Sequence, residues 1–132
     1  MEQPLYCLQG PIVHGRGNGR TVGMPTANLL VKAGEGLPPF GVYASLACVD
    51  GNTYIGVTNV GLRPTLHEGG GPTVETLLLD YSGDLYEKEM TLRLYRFLRP
   101  TREMASLAEV ERQVERDAEA ARLLLGWIRK KS

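Results

Sequence analysis

Short runs of alternating apolar and polar residues occupy the chain from Leu5 to Arg99, and glycine, proline and aspartate separate them. The runs read PLYCLQG, PIVHG, PTANLLVK, GVYASLACV, NTYIGVTNV, TVETLLLDY and EMTLRLYRFL. A period of two is typical of strands that bury one face, and Asp50-Gly51 between two runs predicts a tight hairpin. None of these runs has a helical period. The pattern therefore predicts a mainly β fold, with about six antiparallel strands in a closed or nearly closed barrel over residues 5–99.

The last part of the chain has a different period. Ser106-Leu-Ala-Glu109 is a capping-box sequence, in which the Ser106 hydroxyl and the Glu109 carboxylate satisfy backbone N–H groups of the first turn. Apolar residues then recur at steps of three and four, which predicts a helix over about 106–129 that lies on the barrel. These residues are Leu107, Val110, Val114, Ala118, Ala121, Leu125 and Ile128. Asp117 falls close to this stripe, and we interpret it as an edge carboxylate paired with a nearby arginine.

Length and composition narrow the function classes. The 132 residues suit one domain, 1–132, and the 15 basic and 15 acidic residues cancel. A zero net charge argues against binding nucleic acid, because the field that attracts phosphates over a whole surface is absent. The sequence contains no run of about 18 apolar residues, so it predicts no membrane-spanning helix. The two cysteines lack metal-ligand spacing, and without a signal peptide they indicate a reducing cytoplasm.

A glycine-rich segment from Gly15 to Arg20 has the composition of an anion site. Its glycines let backbone N–H groups approach a ligand, its arginines suit phosphate oxygens, and no acidic residue occurs between Glu2 and Glu35. The Walker A and Rossmann spacings both fail here, however. These residues alone are compatible with two interpretations of the segment, a solvated hairpin loop and a loop that binds phosphate.

Three polar residues stand in strand runs where a core alone would not select them. Thr26 and Asn28 are two apart, so they share a strand face and offer neutral oxygens that suit Mg²⁺ when phosphates supply the charge. Glu75 shares a face with Leu77, and desolvation there would raise its pKa toward the range of a general base. Structural alternatives exist for all three: Thr26 and Asn28 as turn or strand-end residues, and Glu75 as a strand-end glutamate in water.

Taken together and in order, these segments resemble the riboflavin kinase (flavokinase) family. The resemblance extends from Gly10 to about Arg122, and its form is that of the carboxyl-terminal module of bacterial bifunctional enzymes. It rests on GPIVHGRGNGRTVGMPTANL, GVYA, GVTNVGLRPT, TVETLLLDYSGDLY, and LRP followed by SLAEVERQVERDAEAAR. It implies a six-stranded antiparallel Greek-key barrel with a C-terminal α-helix, and an enzyme that transfers the γ-phosphoryl group of ATP to the 5′-hydroxyl of riboflavin, giving FMN and ADP.

The resemblance also assigns expected roles. It implies that Glu75 accepts the ribityl hydroxyl proton and that Thr26 and Asn28 hold Mg²⁺ and phosphate. Arg99 is a candidate for contacting the flavin or the transferred phosphate, and Asp117 is a further candidate for the flavin. The resemblance implies nucleotide-phosphate contacts for the loop residues Gly15, Arg16, Gly17, Asn18, Gly19 and Arg20. Two positions depart from the family near the flavin: Glu87 stands where a glycine is usual, and Met104 lies where a basic-aromatic pair is common.

Two questions of function stay open at this point. The chain is either a standalone kinase or one module of a longer protein that also has an FMN adenylyltransferase domain. A non-catalytic flavin- or nucleotide-binding carrier on the same barrel is the alternative to an enzyme. A nucleic-acid-binding small barrel is disfavoured, because the net charge is zero and no row of stacking aromatic residues occurs.

Overall fold

Six antiparallel strands close into a barrel and are followed by a helix. The computed structural model describes residues 3–13, 25–30, 36–63, 71–101 and 104–131. The elements are β1 Tyr6–Val13, β2 Thr26–Leu29, β3 Gly41–Val49, β4 Asn52–Arg63, β5 Gly71–Leu78, β6 Glu89–Arg99 and α1 Leu107–Lys131. Within the described residues, no helix is long and apolar enough to cross a membrane.

The strand order around the barrel is β1-β2-β5-β4-β3-β6. The consecutive strands β3, β4 and β5 are neighbours, whereas the connection from β2 to β3 and that from β5 to β6 each cross to a distant strand. This arrangement confirms the antiparallel barrel predicted from the strand pattern and the Greek-key connections that the resemblance implies. Two details differ. PLYCLQG and PIVHG form one strand, because the alternation continues through Gly10 and Pro11, whereas PTANLLVK contributes only the four residues of β2.

Several residues have positive backbone φ angles, among them those of the hairpin between β3 and β4 and one in the turn before β6. Asp50 and Gly51, with φ of 53° and 79°, join Val49 to its partner Asn52 in a two-residue hairpin of the expected kind. Glu87 also lies in the left-handed region, with φ of 68°. Glycine adopts this conformation without a Cβ penalty, so the backbone here agrees with the glycine that the resemblance leads us to expect at this position.

The barrel interior combines an apolar core with a short chain of buried hydroxyl groups. Thr58 shares hydrogen bonds of 2.8 Å with both Ser45 and Thr76, and all three residues are fully buried. Gly56 leaves room for this chain, since a Cβ there would lie 2.8 Å from Thr76 Cγ2 and 2.9 Å from Ser45 Oγ. The apolar core consists of Leu8, Ile12, Ala27, Leu29, Tyr43, Ala47, Val49, Val60, Val74, Leu78, Leu85, Met90, Leu92 and Leu94.

The helix packs on the outside of the barrel, against β3, β4 and β6. Ala118, Ala121 and Leu125 are buried there, as the stripe predicts, but Leu107 is 51% exposed and lies outside the contact. At the first turn, the Ser106 hydroxyl accepts a hydrogen bond from the Glu109 N–H at 3.2 Å. The Glu109 carboxylate accepts from the N–H of Ala105, one residue before the N-cap, at 3.1 Å. The cap therefore forms, with its return bond displaced by one residue.

Candidate active site

A row of three polar residues crosses β2, β5 and β4 on the outer face of the barrel. Glu75 pairs with Asn28 on one side and with Asn59 on the other. The neighbouring pair along the same strands is Thr58 and Thr76, whose hydroxyls share a hydrogen bond inside the barrel. Because successive side chains of a strand point to opposite faces, Glu75 and Asn59 point outward. All three residues of the row are partly buried. The barrel thus presents an amide, a carboxylate and a second amide side by side.

Thr26 belongs to the same surface. It pairs with Leu77, and it lies two residues from Asn28 on β2, so the structure brings Thr26 and Asn28 next to Glu75. Glu75 stands inside β5 with strand partners on both sides, which excludes its interpretation as a strand-end glutamate in water. Leu77, on the same face, packs against the apolar cluster beneath α1. Both Thr26 and Glu75 have a polar or electrostatic partner in the fold.

Asn59 was not predicted from the sequence as a site residue. Its side-chain Oδ1 accepts a hydrogen bond of 2.8 Å from the hydroxyl of Thr101, in the segment that follows β6. The only sequence signal is a polar residue at an outward position of the run NTYIGVTNV. Its place opposite Glu75 follows from the pairing of β4 with β5, which residue spacing within one strand does not specify.

Arg99 and Asp117 form a two-pronged ion pair between β6 and α1. Arg99 Nε lies 3.1 Å from Asp117 Oδ1 and Nη2 lies 2.8 Å from Oδ2, and Gln113 donates a further bond of 3.1 Å to Oδ1. The pairing of Asp117 with a nearby arginine is confirmed. The Asp117 side chain is only 7% exposed, so these donors compensate the loss of its hydration.

The ion pair lies in line with the polar row. Val42 on β3 pairs with both Asn59 and Arg99, so Arg99 continues the row two strands beyond Asn59. Its Nη1 also donates to the backbone oxygen of Pro100 at 3.3 Å. The flavin contact expected of Arg99 and Asp117 would therefore use the guanidinium donors that these bonds leave over.

The glycine-rich candidates Gly15–Arg20 lie outside the described residues. The strands on either side of them are described: β1 and β2 are neighbours, and Val13, the last residue of β1, pairs with Asn28. Val13, two residues before Gly15, therefore lies directly beside one end of the polar row.

Comparison with known proteins gives one consistent family. Residues 3–125 match the model of the family Flavokinase, described as riboflavin kinase. A bifunctional riboflavin kinase/FMN adenylyltransferase of Bacillus subtilis (strain 168) is 35% identical over 127 residues, which are 95% of this chain and 40% of that protein. The chain thus spans well under half the length of such relatives.

Two solved structures share the fold. One, from a protein of Streptococcus pneumoniae described as a macrolide-efflux protein, has a TM-score of 0.80 and 28% identity, over 90% of this chain and 38% of that one. The riboflavin kinase of Trypanosoma brucei has a TM-score of 0.66 and 24% identity, over 91% of this chain and 79% of that one, and shows the fold alone. With the family model matching nearly the whole chain, the protein belongs to the flavokinase family.

Proposed function

We propose that this chain is a riboflavin kinase, which transfers the γ-phosphoryl group of ATP to the 5′-hydroxyl of riboflavin and gives FMN and ADP. The observation that carries the proposal, beside family membership, is the direct pairing of Asn28 with Glu75 on the outer face. It puts an oxygen ligand suited to Mg²⁺ and phosphate next to a carboxylate suited to accept a proton from an alcohol.

The chemistry needs few groups. Phosphoryl transfer depends mainly on positioning and on neutralisation of phosphate charge, so one base and an oriented acceptor hydroxyl suffice on the protein side. Glu75 is the base in this scheme, and its partly buried place in the sheet fixes the backbone from which the carboxylate extends. The carboxylate accepts the hydroxyl proton as the oxygen attacks phosphorus.

Mg²⁺ is the proposed metal, and the residues present fit it. Thr26 supplies a hydroxyl oxygen and Asn28 an amide oxygen, and both lie on one face of β2. Within the described ranges, no group of three or more His, Cys, Asp or Glu residues that could hold a metal occurs. A site here would therefore complete its coordination with phosphate oxygens and water, the usual arrangement for Mg²⁺ at nucleotides. The ion would offset phosphate charge during transfer.

The remaining assignments follow the family. We assign Gly15–Arg20 to the nucleotide phosphates, and we assign the flavin side of the site to the Arg99–Asp117 pair. ATP and riboflavin are the substrates in this proposal. Because the relatives are bifunctional and much longer, an FMN adenylyltransferase module is the proposed partner domain. A cytoplasmic location stays a prediction from the cysteine content.

The test is direct. Incubation of the protein with riboflavin and MgATP should produce FMN and ADP, resolved by chromatography, and chelation of Mg²⁺ with EDTA should stop both. Omission of ATP is the matched blank. Absence of FMN over hours at micromolar protein would overturn the proposal. If riboflavin then still bound, as flavin fluorescence would report, the non-catalytic carrier would replace it.

A further inference from the structure

Asn59 occupies a position next to Glu75 that the proposed chemistry does not yet use. It pairs with Glu75 across β4 and β5, in the way that Asn28 pairs with Glu75 across β2 and β5. Directly opposed residues on antiparallel strands have Cβ atoms about 4.5–5.5 Å apart, within reach of a side-chain hydrogen bond. Glu75 is thus flanked by an amide on each neighbouring strand.

The hydrogen bond from Thr101 orients the Asn59 amide. An asparagine side chain has an accepting oxygen end and a donating NH₂ end, and the Thr101 hydroxyl occupies the oxygen at 2.8 Å. Thr101 follows β6, which lies across β3 from β4, whereas β5 and Glu75 lie on the other side of β4. With its oxygen bonded to Thr101, the Asn59 amide has two N–H donors left, and Glu75 is the residue directly opposite it on β5.

We propose that Asn59 is a positioning residue for the base: when the substrates are bound, its amide, oriented by Thr101, donates to the Glu75 carboxylate and fixes the oxygen that accepts the substrate proton. This inference rests on the proposed kinase function. An ionised carboxylate only accepts hydrogen bonds, so the Asn59 donor matches it. Thr101 lies two residues beyond Arg99, so the same bond ties the segment at the flavin side of the site to the base.

The first experiment compares Asn59→Ala with the wild type. Loss of one hydrogen bond to a charged group should lower kcat about 10- to 100-fold. Riboflavin and MgADP affinities should stay near the wild-type values, because the lost contact acts on proton transfer rather than on binding. Asn52→Ala is the matched control, an exposed asparagine on the same strand and away from Glu75, and it should retain wild-type kcat.

A double-mutant cycle separates positioning from a general structural effect. In a Glu75→Gln background the base is absent, so Asn59→Ala should change the residual kcat by less than about twofold. Equal fold losses with and without Glu75 would show that Asn59 acts independently of Glu75, and would overturn the proposal. An Asn59→Ala enzyme with wild-type kcat would overturn it as well.

Thr101 gives a second measurement that does not depend on the folding of the Asn59 variant. Thr101→Val removes the hydroxyl at nearly constant volume and should lower kcat, whereas Thr101→Ser, which retains the hydroxyl, should recover most of that loss. Equal kcat in the Val and Ser variants would overturn the role of Thr101 in orienting Asn59. A wild-type protein that makes no FMN would overturn the proposed function and this inference together, whereas an active enzyme insensitive to Asn59 would overturn this inference alone.

Discussion

At the scale of the residue, the candidate site depends on where single side chains stand in a paired sheet. Glu75 lies inside β5 between two amides, and its sequence neighbour Thr76 faces the barrel interior. A carboxylate at this position has a fixed backbone and a partly buried side chain. Replacing one carboxylate oxygen by an amide NH₂ should therefore leave the structure in place, so that a change in activity reports on the catalytic role of the carboxylate.

Glu75→Gln keeps the size and hydrogen-bonding reach of the side chain but removes the proton acceptor. If Glu75 is the general base, kcat should fall about 10²- to 10⁴-fold. Affinities for riboflavin and ADP should change little, since the loss is in the transition state. Steady-state turnover at saturating substrates and flavin fluorescence titration measure the two quantities.

The control is Asp80→Asn in the turn after β5. Asp80 is exposed, has φ of 61° and lies 3.4 Å from Arg122 in a surface ion pair. Asparagine tolerates the left-handed region, so this variant should keep its activity. Turnover of Glu75→Gln within a few-fold of the wild type would remove the base from the mechanism. Loss of riboflavin binding in Glu75→Gln would instead make Glu75 a substrate-positioning group.

At the scale of the element, β4 serves the core and the site at once. Thr58 joins the interior hydroxyl chain, Asn59 points outward beside Glu75, and Gly56 makes space for Thr76 and Ser45. A change on the inner face of this strand therefore acts on the stability of the barrel. It also shifts the backbone that carries Asn59.

Gly56→Ala should destabilise the protein by about 1–3 kcal/mol, because the added methyl group overpacks against a buried, β-branched side chain that hydrogen bonds hold in place. Urea unfolding followed by circular dichroism measures the free energy of unfolding. Gly61→Ala is the control on the same strand: no atom of the residues that the structure describes lies within 4 Å of its Cβ position, and its φ is not in the left-handed region. If both variants unfold at the same urea concentration, the close contact at Gly56 carries no energetic weight.

The elements were predictable from sequence to different extents. Alternation and the Asp50-Gly51 turn indicated the strands, and the capping box indicated the start of α1, because these signals are local. The two-residue spacing also predicted that Thr26 and Asn28 share a face. Their place beside Glu75, and that of Asn59, depends on which strands pair and in which register. Contacts between distant segments set that pairing, so no single run of residues reveals it.

At the scale of the whole molecule, the sheet links the proposed metal ligands to the rest of the barrel. Asn28 pairs with Val13 on one side and with Glu75 on the other, so a ligand held at Asn28 contacts a residue fixed by two neighbouring strands. Binding to the folded state alone stabilises that state by mass action. Ligand binding at this site should therefore be visible in the unfolding of the entire domain.

MgADP should raise the unfolding temperature, by an amount that corresponds to about 2.7 kcal/mol at a ligand concentration about 100-fold above Kd. The part of this shift that depends on Mg²⁺ should be smaller in Asn28→Ala, because one metal ligand is lost. Differential scanning fluorimetry with MgADP, and with ADP plus EDTA, measures it. The Asn52→Ala protein should show the full shift. An undiminished Mg²⁺-dependent shift in Asn28→Ala would mean that Asn28 neither holds nor orients the metal.

The alternation of apolar and polar residues along β5 also disfavours a wrong strand register at the site. If β5 slipped by one residue against β2 and β4, every side chain would change face: Glu75 would enter the apolar interior, and its neighbours Val74 and Thr76 would turn outward. Such a slip would bury a charge and expose core residues together, so it carries two large free-energy costs. The hydrophobic pattern that selects the core therefore also fixes the candidate base on the outer face of the barrel. A deletion or insertion in β5 would damage folding and chemistry in the same step.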